Sequence, residues 1–111
     1  MKILHINTEK TWRGGEQQVL YLAKGLKDRG HESVIICQPN SPLSERAKTE
    51  GLYVDEVRMR SEFDLLAAWR IGKLLRQEDY DILHVHTSHA HSIGLLARFF
   101  GKVKVMVVSR R

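Results

Sequence analysis

The sequence is short of several things, and each shortage excludes a class of protein. It has one cysteine, Cys37, in 111 residues, so no disulfide framework can form within the chain, and the usage fits a reducing compartment. Its two prolines, Pro39 and Pro42, sit in one stretch, so there is no Pro-rich linker or low-complexity tract. Aromatic residues are 7% of the chain, with no basic stripe interleaved with aromatics of the kind that binds nucleic acid. No apolar run approaches the roughly 18 residues of a membrane span. The amino-terminal run Lys2–Ile6 turns polar at Asn7, which leaves no signal-peptide core. Acidic residues number 13 against 18 Lys plus Arg, a formal charge of +5. The cations are scattered along helix-like segments, as on solvated faces, and they fix no partner.

What is present is an ordinary globular mix, 42% hydrophobic and 28% charged, with room for one domain and one core but not two. Strand-like and helix-like segments alternate from end to end. Lys2 to Asn7 reads as a strand, and Thr8 to Gly15 as a polar, glycine-containing loop. Val19, Leu22, Ala23 and Leu26 then fall on one helical face between about Glu16 and Arg29, and Gly30 supplies a left-handed stop. Ser33 to Cys37 is a continuous apolar run, as in a strand covered on both sides.

Ser41-Pro42 predicts an N-cap followed by proline in the first turn, closed by Gly51. Tyr53 to Val57, Ile82 to His86 and Val103 to Val108 read as three further strands. Helices are expected over Phe63–Gln77, with Ala68, Ile71, Gly72 and Leu75 inward, and over Ala90–Phe100. The alternation predicts an α/β domain with a parallel sheet of about five strands, order 3-2-1-4-5, and helices on both faces. Ligands bind such sheets outside the carboxyl ends of the strands where the strand order reverses. That point falls at Thr8–Glu16 and Thr87–His91.

Three segments at strand ends could carry chemistry. In Trp12-Arg13-Gly14-Gly15-Glu16 the paired glycines let backbone N–H groups approach an anion at a helix start, and Arg13 adds a forked charge. The third glycine of a dinucleotide fingerprint and the GK[ST] of a P-loop are both missing. A plain flexible turn is the alternative. The run His84-Val85-His86-Thr87-Ser88-His89-Ala90-His91 invites a metal reading. It resembles the HxHxDH signature of metallo-hydrolases, but Ser88 stands where the Asp belongs.

On a strand His84 and His86 share a face. His84 is expected to be deeper and His86 to reach the crevice, although a packed, hydrogen-bonded histidine is the plainer reading. Val107-Val108-Ser109-Arg110-Arg111 runs a buried-type strand into two arginines, either a tail or an anion contact. Trp69 is expected in the core and Trp12 as a ligand platform or lid. Cys37 is expected to be buried and inert.

These segments together resemble the amino-terminal half of a retaining GT-B glycosyltransferase of family 4. The likeness rests on Lys2-Ile3-Leu4-His5-Ile6, on Gly14-Gly15-Glu16-Gln17-Gln18-Val19 through Leu22-Ala23-Lys24-Gly25-Leu26 to Arg29-Gly30-His31-Glu32, and on Asp81-Ile82-Leu83-His84-Val85-His86. It departs from the pattern at Gln17, where an acidic residue is usual, and at Ser109-Arg110-Arg111, which replaces T-x-H.

The resemblance implies a Rossmann-like acceptor domain over residues 1–111, incomplete without a carboxyl-terminal donor domain and inactive alone. The implied substrates are a nucleotide-sugar donor and a saccharide or lipid-linked acceptor. His86 would be catalytic, and Arg13, Gly14, Gly15, Glu16, Thr87, His89 and Arg110 would bind substrate. No metal or other cofactor and no nucleic acid is expected. A cytoplasmic location, possible peripheral membrane association and self-association through an exposed fifth strand complete the expectations. A non-catalytic flavodoxin-like module is the competing reading, with a histidine-cluster hydrolase behind it.

Overall fold

A computed structural model describes residues 1–12, 14–61, 64–86, 88–101, 103 and 105–108, the side chains of 14, 88 and 89 excepted. The elements follow in the order β1 (Lys2–Ile6), α1 (Gly14–Asp28), β2 (Glu32–Cys37), α2 (Pro42–Thr49), β3 (Tyr53–Glu56), α3 (Leu65–Gln77), β4 (Ile82–Val85), α4 (Ser88–Phe100) and β5 (Val105–Val108). All the pairings are parallel, in the order β3-β2-β1-β4-β5, as the alternation predicts. The fold is a Rossmann-like α/β sheet.

Centrality explains the sequence of β1. Its residues Ile3 to Ile6 are buried, because helices cover both faces of a parallel sheet. Leu4 and Ile6 join Ile71, Leu83, Val85 and Ile93 in the larger core, under α3 and α4. Ile35 and Cys37 pack with Val19, Ala23, Leu43 and Ala47 on the opposite face, under α1 and α2. Cys37 is wholly buried, and burial raises its thiol pKa, which fits the inert role expected of it.

The helix boundaries have local causes. Ser41 caps α2, its Oγ accepting from Ser44 N at 3.3 Å. Gly30 and Gly51 take positive φ, 86° and 75°, where a Cβ would be strained. Asp64, a cap that sequence reading did not single out, accepts from the backbone N–H of Ala67 at 3.1 Å and of Arg60 at 2.9 Å. These bonds hold its carboxyl below the usual range. Glycine at 72 and 101 lets α3 and α4 meet closely. A Cβ added at Gly72 would lie 2.6 Å from Phe100 Cβ and 2.9 Å from the Ala97 carbonyl.

Four expectations need correction. α1 begins at Gly14, so the glycine pair forms its first turn instead of ending a loop. Leu22 is exposed and Leu20 buried, because the inward face of α1 turns toward β2 and α2. Trp69 is 42% exposed, with Lys73 Nζ 5.5 Å from its ring centre; Ala67 and Ile71 fill core positions near it in α3. β5 starts at Val105, and its outer residues Val105 and Val107 are exposed on the sheet edge. The expected strand residue Lys104 and helix residue Phe63 lie outside the described residues.

Gly25 contrasts with Gly72. It is exposed within α1, with nothing within 4 Å of an added Cβ. Gly25→Ala should therefore raise unfolding free energy by about 0.5–1 kcal/mol, the difference in helix propensity. A higher urea midpoint at unchanged slope would show it; no gain would indicate hidden strain at this turn.

Candidate functional site

The carboxyl ends of β1 and β4 and the amino ends of α1 and α4 converge on one edge of the sheet. The loop after β1 is fixed from within. Asn7 is buried; its Nδ2 donates to Glu16 Oε2 at 3.2 Å, and its Oδ1 accepts from Glu9 N at 2.9 Å. Glu16 is 2% exposed, so its carboxylate turns inward and braces the loop that carries Gly14 and Gly15. Both glycines stand in the first turn of α1, where backbone N–H groups lack helical partners and the dipole favours an anion.

Gln38, at the end of β2, is a second brace. Its Nε2 donates to Thr8 O at 3.0 Å and Met59 O at 2.6 Å, while its Oε1 accepts from Met59 N at 3.0 Å. One side chain thus ties the loops after β1 and β3 together. Between them opens a cleft of about 310 Å³ whose lining includes Thr8, Lys10, Thr11, Arg60 and Ser61. Its hydroxyls and two exposed cations suit a polar or anionic group.

His86 follows β4 directly, its backbone N–H donating to Ile6 O at 3.1 Å. The ring is 3% exposed, forming floor to the crevice more than wall. Its Nε2 lies 3.0 Å from Nδ1 of His5, a fully buried β1 residue that sequence reading passed over. His5 Nε2 lies 3.3 Å from Ser33 Oγ on β2. Burial, helped by His84 beside it, pushes the His5 pKa down to about 3, so this imidazole is neutral near pH 7.

His84 is half-buried, not the deeper of the pair, with its ring centre 3.9 Å from that of His86. The sequence signal that could have found His5 is a histidine within an apolar central-strand run. Only the β1–β4 register, which pairs His5 with His84, gives it meaning.

Trp12 is not a free platform. Arg46 stacks on its ring at 3.9 Å, and it packs against the cluster under α1 and α2. Arg13, Thr87 and Arg110 lie outside the described residues, as does the side chain of His89. The structure thus brings Gly14, Gly15, Glu16 and His86 to one edge.

A model described as Glycosyltransferase Family 4 matches residues 12–109. The chain belongs to glycosyltransferase family 4. A phosphatidyl-myo-inositol mannosyltransferase of Mycolicibacterium smegmatis is 30% identical over 91 residues, covering 76% of this chain and 23% of that protein. Among solved structures, a Rickettsia africae glycosyltransferase superposes with TM-score 0.78 at 20% identity, over 96% of this chain and 28% of the other.

HepE of Anabaena, solved with UDP and glucose, gives TM-score 0.77 at 18% identity over 97% and 29%. Acinetobacter baumannii MurG gives 0.77 at 15% identity over 98% and 34%. The family-4 chain thus spans about a quarter to a third of the length of these proteins.

Proposed function

We propose that this family-4 chain is the acceptor-side domain of a retaining GT-B glycosyltransferase. It would move a sugar from a nucleotide-sugar donor to a saccharide or lipid-linked acceptor, in concert with a donor-binding domain. The observation that carries the reading is the placement of the Gly14-Gly15 helix start and His86 on either side of the β1–β4 crevice, in a chain of this family.

Sugar transfer needs the two substrates held in reach and the charge of the departing diphosphate stabilised. The backbone N–H groups of Gly14 and Gly15 and the charge of Arg13 suit that diphosphate, without a metal ion. Glu16 works through Asn7, keeping the glycine turn in place. His86 faces the transferred sugar, with Thr87, His89 and Arg110 as flanking contacts. The cleft beside Lys10 and Arg60 suits the acceptor's polar group.

Two partner readings go with this one. Leu65, Leu66 and Trp69 are exposed at the amino end of α3, beside Arg70 and Lys73. That patch lies on the same edge as the crevice and supports peripheral contact with an anionic membrane. The exposed β5 edge supports self-association. Among the described residues no helix is long and apolar enough to cross a membrane.

The test is a fusion of the chain to a family-4 donor domain, assayed with a panel of nucleotide sugars and with saccharide and lipid acceptors. Transfer by the fusion, none by the chain alone and a lower turnover in His86→Ala are expected. A folded fusion that binds nucleotide sugar yet glycosylates nothing would refute the assignment.

A further inference from the structure

Three imidazoles from two adjacent strands meet on one face of the sheet. His5 and His84 are register partners across β1 and β4, and His86 lies two residues beyond His84, so all three project to the same side. That side is opposite the one filled by Leu4, Ile6, Leu83 and Val85. One ring nitrogen from each histidine lies within 4.8 Å of the other two, and the His5–His86 pair is at 3.0 Å.

Two nitrogens bound to one tetrahedral zinc ion, at about 2.0–2.1 Å each, stand about 3.3 Å apart. The closest pair therefore needs to open by a few tenths of an ångström, and the third nitrogen to swing inward by ring rotation. Imidazole is a ligand that suits zinc, copper and nickel.

The surroundings fit an ion as well. Ser33 Oγ lies at the far nitrogen of His5, the place of an outer partner that sets which nitrogen is left for the metal. His84 is half-buried, and its neighbours on β5, Val105 and Val107, are exposed. This leaves an approach from the β5 side. Three imidazole nitrogens with no carboxylate in the cluster disfavour magnesium, calcium and manganese, which take oxygen ligands.

We propose that His5, His84 and His86 form a three-imidazole site for a divalent ion of the zinc, cobalt, nickel and copper group. The site shares His86 with the transfer reading above, but its tests read metal binding, so its failure and the failure of that reading are distinguishable. The assigned ligands also differ from the set the linear motif suggests, because β1 supplies the third imidazole in place of His89 or His91.

The experiment uses the whole chain, stripped with chelator and dialysed. Cobalt(II) is added while visible absorption is followed, and zinc is then used to displace it. One ion per chain is expected, with the intense absorption of a tetrahedral cobalt centre. His84→Ala, at the least buried ligand, should weaken binding by roughly a hundredfold, and Ser33→Ala by about tenfold.

Zinc should raise the melting temperature of the wild type but not of His84→Ala, while magnesium moves neither. His89→Ala and His91→Ala should bind as the wild type does. Should His84→Ala fail to fold, nitrogen-15 spectra of the wild type decide, since zinc must shift the rings of His5, His84 and His86 together. Substoichiometric binding, affinity unchanged in a folded His84→Ala, or loss of binding in His89→Ala or His91→Ala would each overturn the site.

Discussion

Lowering the pH from 7 to 5 should cost the metal-free fold about 2 kcal/mol through His5 alone. The pKa of this residue falls from 6.5 to about 3 on folding, because burial penalises the charged ring and His84 stands beside it. Between those two values the unfolded chain binds a proton that the folded chain refuses. Stability therefore falls as the pH drops through 6.5, and the loss levels off only near pH 3.

The depressed carboxyls act lower. Glu56, bonded to Asn40 N and Ser44 Oγ, and Asp64 lose their contribution only as pH falls below their ordinary values of 4.5 and 3.8. Asp55, raised by burial, acts in the opposite sense. The window from pH 6.5 to 5 thus lies above the ordinary values of these carboxyls.

Urea unfolding in chelator at pH 7, 6 and 5 should show the fall in the wild type and a much flatter profile in His5→Phe. Its ring fills similar space but takes no proton. Parallel profiles for the two proteins would remove His5 as the cause.

Gly72→Ala should lower unfolding free energy by about 1–3 kcal/mol, although alanine is the better helix former by about 1 kcal/mol. The new methyl meets Phe100 Cβ at 2.6 Å and Ala97 O at 2.9 Å. Neither is the free end of a side chain that can swing aside, so α3 and α4 must separate. Separation loosens the larger core, where Ile71 and Leu75 face Ile93 and Ala97. A drop in denaturant midpoint at constant slope is the expected signature; a neutral or stabilising result would mean that the helices slide at no cost.

The order of the sheet was legible in the sequence because it follows from rules of alternation and handedness that any βα repeat obeys. The inward face of α3 was legible from periodicity, since Ile71, Gly72 and Leu75 repeat with the helix. What could not be read needed register. His5 looks like one polar residue in an apolar strand until β4 is laid beside it and sets His84 at its flank.

The two tryptophans depart from expectation, Trp12 being packed and Trp69 exposed. Side-chain chemistry suggests a ligand platform for one in a polar loop, but only the fold shows Arg46 on Trp12 and solvent on Trp69. The bracing amides of Asn7 and Gln38 were invisible because the fold sets their partners, the buried Glu16 carboxylate for one and the backbone of Thr8 and Met59 for the other. For the candidate site, the glycine turn and His86 were legible from sequence, and their supports were not.

The position of β1 also sets an order of events during synthesis. Its first residue, Lys2, is tied to Asp81, with Asp81 N donating to Lys2 O at 2.8 Å and Lys2 N to Asp81 Oδ2 at 2.9 Å. A ribosome therefore releases β1, β2 and β3 well before the strand that closes the other side of β1 exists. Throughout that interval β1 is an open edge, and Leu4 and Ile6 await the helices that will cover them. Nascent chains in that state invite mispairing, so a pause in translation ahead of Ile82 is where a chaperone would matter most.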